Sequence, residues 1–333
     1  MFQAIQNAEK SIYLEMYIFE KEIKEFDFFS LIKEKARKGL QVKILLDSFG
    51  SIGLRNSAIS ELREAGVEIL FLSYLLHRMH RKVLVTDERV AFLGGVNFYQ
   101  TSRFWNDLMV RITGHLAEKV TASFAKSYAF AGGKDPVLLG KSNHAKKEKS
   151  DSWIVDHVPI KKKFYFKRIY KKYLNKAEAS VILVTPYFIP RRWLRALLHQ
   201  AVLRGAKVEV LVPHHTDNFI VDRVNYFYIH KLHKLGVKFY LESKMNHAKA
   251  LIIDGKEAMV GSQNLDFLSF DLNSEVGIFF KDPAVVSKLA AIAEEWKKGS
   301  VLFDAKIHQP KWFDYIVSPL INIFSLFYRI LLD

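Results

Sequence analysis

The sequence predicts an α/β protein with two similar lobes that arose by internal duplication, each a mixed β-sheet flanked by helices. At 333 residues and 50% hydrophobic content, the chain is long enough for two domains with sizeable cores. Similar stretches recur at an offset of 166 to 170 residues, and each alternates strand and helix patterns. We place the first lobe at 1–135, a basic linker at 136–165, the second lobe at 166–300 and an apolar C-terminal tail at 301–333.

The first half of each repeat predicts strand, helix, strand, helix, strand. Short apolar, β-branched runs follow polar or glycine-containing segments, as expected of strands buried beneath helices. An Ala-Glu-x-Ser sequence precedes the first run in both copies, and a basic residue with a glycine precedes the second. The paired runs are 12–14 with 181–183, 42–46 with 208–212, and 67–70 with 237–240.

A spaced polar pattern follows in each copy. It consists of His-x-Lys, four residues, Asp, six residues, Gly-Gly or Gly-Ser, one residue and Asn. Residues two apart in an extended segment share a face, so the His and Lys of each copy point the same way. A single His-x-Lys has little specificity, but repetition in register argues against coincidence. The members are His80, Lys82, Asp87, Gly94-Gly95 and Asn97, then His247, Lys249, Asp254, Gly261-Ser262 and Asn264.

The middle of each pattern predicts a β-hairpin. Asp254-Gly255 is a strong hairpin signal, and it should return the chain through Val260 so that Asn264 lies beside His247. Asp87-Glu88 is a weaker signal for the same bend. Since both aspartates fall at the far end of the hairpin from the histidines, we expect them to be structural. A last strand and helix should follow, at 109–112 and 116–130, then at 276–280 and 283–296.

Charge and composition narrow the class of partner. A net charge of +15 and a pI near 9.6 indicate a polyanionic partner, either nucleic acid or an anionic membrane surface. The absence of cysteine excludes disulfides, thiolate zinc sites and a thiol nucleophile. Residues 1–10 have no apolar segment of the kind that forms a signal peptide.

Two further segments bear on a membrane role. Residues 141–149 are predicted to be a mobile linker, whereas 161–173 mix Lys and Arg with aromatic residues. The latter suits an anionic lipid surface, nucleic acid, or an amphipathic helix packed on the second lobe. Residues 312–332 are mostly apolar but interrupted by polar residues, which favours an interfacial anchor, with a helix packed on the lobes or on a dimer partner as the alternative.

The doubled pattern resembles the signature of the phospholipase D superfamily. Flanking stretches are similar to its bacterial cardiolipin synthases, among them Trp105-Asn106-Asp107 and Gly261-Ser262-Gln263-Asn264-Leu265-Asp266. The resemblance covers roughly residues 1 to 300. It implies a single active site at the lobe interface, where one histidine attacks phosphorus and the other acts as acid and base, with His80 as the nucleophile. It also implies phosphatidyl transfer between two phosphatidylglycerol molecules with release of glycerol.

The chemistry of a phosphodiester assigns roles to the other residues. Lys82, Lys249, Asn97 and Asn264 would hold the developing negative charge without a metal or other cofactor. A nucleophilic imidazole needs an acceptor that fixes its tautomer. Glu275 stands 28 residues after His247, and Asp107 stands 27 residues after His80. Gly95, Ser262, Tyr17 and Tyr187 are the candidate substrate-binding residues.

Two rival functions fit parts of the sequence. A hydrolase or nuclease of the same superfamily would use the +15 charge as a phosphate footprint. An inactive lipid-binding protein would keep the duplication only as a scaffold, although both His-Lys-Asn sets are intact. We expect an anionic phospholipid substrate rather than nucleic acid, and peripheral association with the cytoplasmic side of a bacterial membrane.

Overall fold

The computed structural model describes residues 1–72, 77–142 and 151–307. The first lobe has a six-stranded sheet in the order β3-β2-β1-β4-β5-β6. Strands β1, β2 and β3 are parallel and β4, β5 and β6 continue antiparallel. Its elements are α1 Phe2–Gln6, β1 Ser11–Met16, α2 Phe28–Arg37, β2 Gln41–Asp47, α3 Asn56–Glu64, β3 Glu68–Leu72, β4 Val83–Thr86, β5 Val90–Gly94, β6 Met109–Thr113 and α4 His115–Phe130.

The second lobe repeats this order in an eight-stranded sheet, β14-β10-β9-β8-β11-β12-β13-β7. The predicted α/β fold with two duplicated lobes is therefore confirmed. Its elements are β7 Ser152–His157, α6 Tyr165–Leu174, β8 Ser180–Val184, α7 Arg192–Leu203, β9 Lys207–Pro213, α8 Phe219–His233, β10 Lys238–Glu242, β11 Ala250–Ile253, β12 Glu257–Gly261, α9 Phe267–Asp271, β13 Glu275–Phe280, α10 Pro283–Lys298 and β14 Ser300–Leu302.

The stretch predicted as a linker contains regular structure. Helix α5 spans Pro136–Lys141, and β7 pairs along its whole length with β13 at the edge of the second sheet. Helix α6 buries one face in the second lobe through Phe166, Tyr170 and Tyr173, as the amphipathic alternative requires. Residues 143–149 of the expected mobile linker and the apolar segment 312–332 lie outside the described residues.

The described residues form three hydrophobic clusters, and one of them joins the two lobes. One lies under the helices α2 and α3 of the first lobe, and another under α6, α7 and α8 of the second. The third is shared: residues of β4 and β5, such as Val83 and Leu93, pack in one cluster with Ile252 and Val260 of β11 and β12. A shared apolar layer fixes how the two sheets face each other, because separating the lobes would expose it to water.

The turn aspartates fasten each hairpin to the first strand of its lobe. The Asp87 carboxylate accepts hydrogen bonds from the backbone N–H groups of Glu9, Lys10 and Ser11 at 2.7 to 3.2 Å. Asp254 accepts from the equivalent backbone of residues 178–180 at 2.8 to 3.3 Å. Both aspartates have positive φ, as do the residues that follow them. Positive φ at two consecutive residues is typical of the type I′ turn, whose twist matches that of the two hairpin strands. The repeated Ala-Glu-x-Ser sequence thus marks the segment that each carboxylate binds.

No helix in the described parts of the chain combines the length and the apolar character needed to cross a membrane.

Candidate functional site

Both histidine motifs lie at the edge where the parallel strands of their sheets end. His80-x-Lys82 immediately precedes β4, which runs antiparallel to β1, and His247-x-Lys249 precedes β11, which runs antiparallel to β8. The carboxyl edge of such sheets is where ligands bind in α/β proteins. Both motifs are buried: the histidines are 8% and 5% exposed, and the lysines at most 1%.

The two lobes meet at this edge through a pair of equivalent backbone bridges. Met79 pairs with Ser274, and the N–H of His80 donates to the Ser274 carbonyl at 2.9 Å. Asn246 pairs with Asn106, and the N–H of His247 donates to the Asn106 carbonyl at 2.7 Å. Each motif of one lobe therefore lies against the segment of the other lobe that carries a candidate carboxylate.

The histidine–carboxylate pairs are formed between the lobes. His80 Nδ1 lies 3.0 and 3.1 Å from the two carboxylate oxygens of Glu275, and His247 Nδ1 lies 2.8 Å from Asp107 Oδ2. The spacing along the sequence had associated Glu275 with His247 and Asp107 with His80, but the bridges bring each carboxylate to the opposite histidine. A carboxylate on Nδ1 makes that nitrogen the protonated one and leaves Nε2 for a substrate.

The surroundings of the two carboxylates differ in a complementary way. The Ser262 and Ser269 hydroxyls both donate to Glu275, the latter at 2.7 Å. At the position of Ser262 in the other lobe stands Gly95, where an added Cβ would coincide with the carboxylate of Asp107. The shorter Asp107 side chain lies directly over the Gly95 backbone. One lobe thus combines Asp with Gly where the other combines Glu with Ser.

The lysines of both motifs are held close to their histidines. Lys82 Nζ donates to the His80 carbonyl at 2.6 Å, and Lys249 Nζ donates to the His247 carbonyl. Burial lowers the pKa of Lys82 to about 7 and that of Lys249 to about 8, and each ammonium is opposed in part by nearby carboxylates. Repulsion from Lys249 also lowers the pKa of Lys82. The two ammonium groups are therefore close enough to repel each other. An anion bound between them would favour their charged forms.

The pKa values of both histidines and both carboxylates in these pairs are lowered. Burial lowers the pKa of His247 to about 4 and lowers that of His80, while the carboxylates act in the opposite direction. Burial alone would raise the pKa of Asp107 and Glu275, but their paired histidines lower both below the ordinary range. At neutral pH and before a substrate binds, the carboxylates are therefore ionised and the imidazoles are neutral.

The remaining predicted residues surround this centre. The Tyr17 ring packs edge-on against His80 with centroids 4.8 Å apart, and Lys82 Nζ lies 4.9 Å from the same ring. Tyr187, its counterpart in the second lobe, donates from its hydroxyl to Asp217 at 2.6 Å. Asn97 and Asn264 are buried at 7% and 4% exposure; Asn97 Oδ1 accepts from the Ile18 N–H at 3.2 Å.

Three features escaped the sequence analysis. The Trp105 ring lies against His247 at 5.5 Å between centroids, and Ser269 supports Glu275. Arg81, between the motif residues, is 1% exposed and donates to Glu15 at 3.0 Å and to Asp156 at 3.1 Å. Arg81 alternates with His80 and Lys82 and so lies on the opposite face of the segment. This alternation in the sequence could have predicted that Arg81 is buried away from the site. Within the described residues, no three His, Cys, Asp or Glu side chains are arranged to hold a metal ion.

Comparison with known proteins identifies the family. Residues 1–128 and 170–296 match the family described as "Cardiolipin synthase, PLD-like domain". The chain is 30% identical over 315 residues to a probable cardiolipin synthase, YwiE, of Bacillus subtilis, with 89% of this chain and 63% of that protein aligned. It is 31% identical over 321 residues to a cardiolipin synthase of a Geobacillus strain, with 90% and 64% aligned. The chain thus spans just under two thirds of the length of these relatives.

Solved structures show the same fold at lower identity. The phosphatidylserine synthase of Haemophilus influenzae superposes with a TM-score of 0.72 at 14% identity, over 99% of this chain and 90% of that one. A polyphosphate kinase of Porphyromonas gingivalis superposes with a TM-score of 0.61 at 12% identity, over 97% of this chain and 50% of that one. Together with the two His-Lys-Asn sets and the lobe-crossing carboxylates, the family match establishes that this chain belongs to the phospholipase D superfamily, in its cardiolipin synthase family.

Proposed function

We propose that the protein is a phosphatidyltransferase that makes cardiolipin from two phosphatidylglycerol molecules and releases glycerol. The observation that carries the proposal is the pair of imidazoles, each with Nδ1 bound to a carboxylate of the other lobe and both flanked by buried lysines. This arrangement supplies a nucleophile, an acid–base group and a cationic clamp in one place. The cardiolipin synthases among its relatives support the choice of lipid.

The reaction has two displacements at phosphorus. In the first, Nε2 of one histidine attacks the phosphodiester, a P–N bond forms, and the bond to the glycerol oxygen breaks. The other histidine takes up a proton from solvent when the phosphodiester anion binds, and it gives this proton to the departing oxygen. In the second, the now neutral acid–base histidine takes the proton from a hydroxyl of a second phosphatidylglycerol. That oxygen attacks phosphorus and the P–N bond breaks. One phosphodiester replaces another, so no nucleotide is consumed.

We assign His80 as the nucleophile and His247 as the acid and base, as the family resemblance implies. The surroundings of Glu275 support this order. This carboxylate accepts from Ser262 and Ser269, which fix its position, and it in turn holds the His80 ring by Nδ1 in one orientation for attack. Asp107 accepts from His247 and from the neighbouring Leu108 N–H at 2.7 Å, so it holds the His247 ring by Nδ1 and leaves Nε2 to exchange a proton with the alcohol oxygens.

The lysines and asparagines would hold the phosphoryl oxygens. With pKa values of about 7 and 8, Lys82 and Lys249 are partly neutral before a substrate binds. An approaching phosphodiester anion favours their charged forms, so binding is coupled to proton uptake. Asn97, Asn264, Tyr17 and Tyr187 complete the wall around this position. No residue of the clamp requires a metal ion as its partner.

We further propose that the substrate is reached from a membrane surface on the cytoplasmic side, without nucleic acid as a partner. The experiment is to incubate the purified protein separately with phosphatidylglycerol vesicles, single-stranded DNA and duplex DNA. Cardiolipin and glycerol in equal amounts are expected. Phosphatidic acid with glycerol would instead indicate a hydrolase, and cleaved strands a nuclease; either product as the main one would contradict the proposal.

Variants test the two-histidine scheme. His80→Ala and His247→Ala should each abolish product. A denaturing quench without acid, which preserves the acid-labile P–N bond, should trap labelled lipid on the protein only while His80 is present. His233→Asn is the matched control, since His233 is a partly buried histidine of α8 that packs on Phe303, remote from the site. Turnover that survives in both alanine variants would refute the scheme.

A further inference from the structure

The edge that carries the site also carries exposed apolar side chains. Six of them, 41% to 80% exposed, lie on loops or helix starts that follow the carboxyl ends of strands. We call this set the apolar rim: Phe49, Ile52, Phe104, Phe219, Ile220 and Leu268. Isolated exposed apolar residues are ordinary, but several on one edge around a site indicate a binding surface.

The two lobes contribute to the apolar rim at equivalent places. Phe49 and Ile52 follow β2, and Phe219 and Ile220 follow β9, the corresponding strand of the repeat. Phe104 lies between β5 and β6, and Leu268 lies between β12 and β13. The rim therefore flanks the site on both sides, three residues from each lobe.

Three of the four rim segments are joined to the site by a close neighbour. Phe49 precedes Gly50, which lies against Tyr17. Phe104 precedes Trp105, whose ring contacts His247. Phe219 follows within two residues of Asp217, the hydrogen-bond acceptor of the Tyr187 hydroxyl. The rim is thus the mouth of the site rather than a distant patch.

Positive charge accompanies the apolar groups. The Arg78 guanidinium lies over the Phe49 ring at 4.3 Å, and that of Arg103 over the Phe104 ring at 4.2 Å. An arginine on an exposed phenylalanine suits the boundary of a bilayer, where the ring enters the lipid and the cation stays among the phosphates. The net charge of +15 adds attraction over a longer range.

We infer that the apolar rim inserts into an anionic lipid bilayer and sets the mouth of the site on its headgroups. This inference rests on the proposed function, because a phosphodiester at headgroup level can reach buried histidines only if that edge faces the membrane. The occupant is a phospholipid surface with negative charge, bound by apolar insertion and electrostatic attraction together.

The test separates docking from chemistry. The variant F219S/I220S is compared with L203S/L235S, whose apolar residues are 65% and 37% exposed at the ends of α7 and α8, on the opposite edge. Sedimentation with vesicles of phosphatidylglycerol and phosphatidylcholine measures binding. The rim variant should bind about tenfold or more weakly, and the control should bind like the unaltered protein.

Turnover is then measured on a short-chain phosphatidylglycerol below its micelle concentration. The rim variant should keep its rate on this monomeric substrate and lose it on vesicles. Equal loss of binding in the control variant, or unchanged binding in the rim variant, would overturn the inference. If the unaltered protein turns over neither form of substrate, the proposed function fails while the sedimentation result still decides the docking surface.

Discussion

Replacing Glu275 by glutamine tests the reasoning about the site most directly. The carboxylate binds His80 Nδ1 at 3.0 Å and is not exposed to solvent. Once His80 bears the phosphatidyl group, its ring is cationic and stabilised by this charge. With the charges about 4 Å apart and an effective dielectric constant near 20, the attraction is about 4 kcal/mol. Removing it should lower kcat by about a thousandfold.

The glutamine has a second effect in the same direction. If its amide group donates to Nδ1, the imidazole adopts the other tautomer, and Nε2 carries the proton where a lone pair is needed. The assay is the initial rate of cardiolipin formation from phosphatidylglycerol, together with the amount of trapped phosphohistidine. Both should fall, while the circular dichroism spectrum should remain that of the unaltered protein.

Glu209→Gln is the matched control, since Glu209 is 2% exposed but binds Lys297 and Tyr240 in the second lobe, away from both histidines. It should retain nearly the full rate. A Glu275→Gln protein that keeps more than a tenth of the activity would refute the role given to this carboxylate.

Three further perturbations have defined outcomes. Between pH 7 and 9 the unfolded chain holds a proton on Lys82 that the folded protein, with a pKa of about 7 for this group, has largely lost. The free energy of unfolding therefore rises with pH. Lys82→Met should flatten that rise in denaturant titrations, raise Tm at pH 7 and abolish turnover. Gly95→Ala places a methyl group on the Asp107 carboxylate and should lower kcat at least tenfold, measured beside Gly53→Ala, where the added Cβ meets nothing within 4 Å. Asp254→Ala removes the acceptor of three backbone N–H groups and should cost about 1–3 kcal/mol of unfolding free energy in urea; with kcat of the folded protein lowered as well, the aspartate would not be purely structural.

The order of strands and helices that the two lobes share could be predicted from the sequence, because apolar periodicity and turn chemistry are local properties. The edge strands β7 and β14 of the second sheet were not predicted. The Asp254-Gly255 turn, the alternation of β-branched residues and the Ala-Glu-x-Ser segments each depend on neighbours within a few positions. The two His-Lys-Asn sets could also be recognised from the sequence, since a motif repeated at the same spacing rarely arises by chance.

Only the tertiary structure decided which carboxylate serves which histidine. Spacing associates Asp107 with His80 and Glu275 with His247, whereas the bridges at Met79 and Asn246 exchange these partners between lobes. The same is true of the buried Arg81 network and of the contact of Trp105 with His247, which join segments distant in the chain. The physical reason is that the shared apolar layer sets the relative position of the two sheets. Contacts between the lobes produce no pattern in the sequence of either repeat, so they could not be predicted from it.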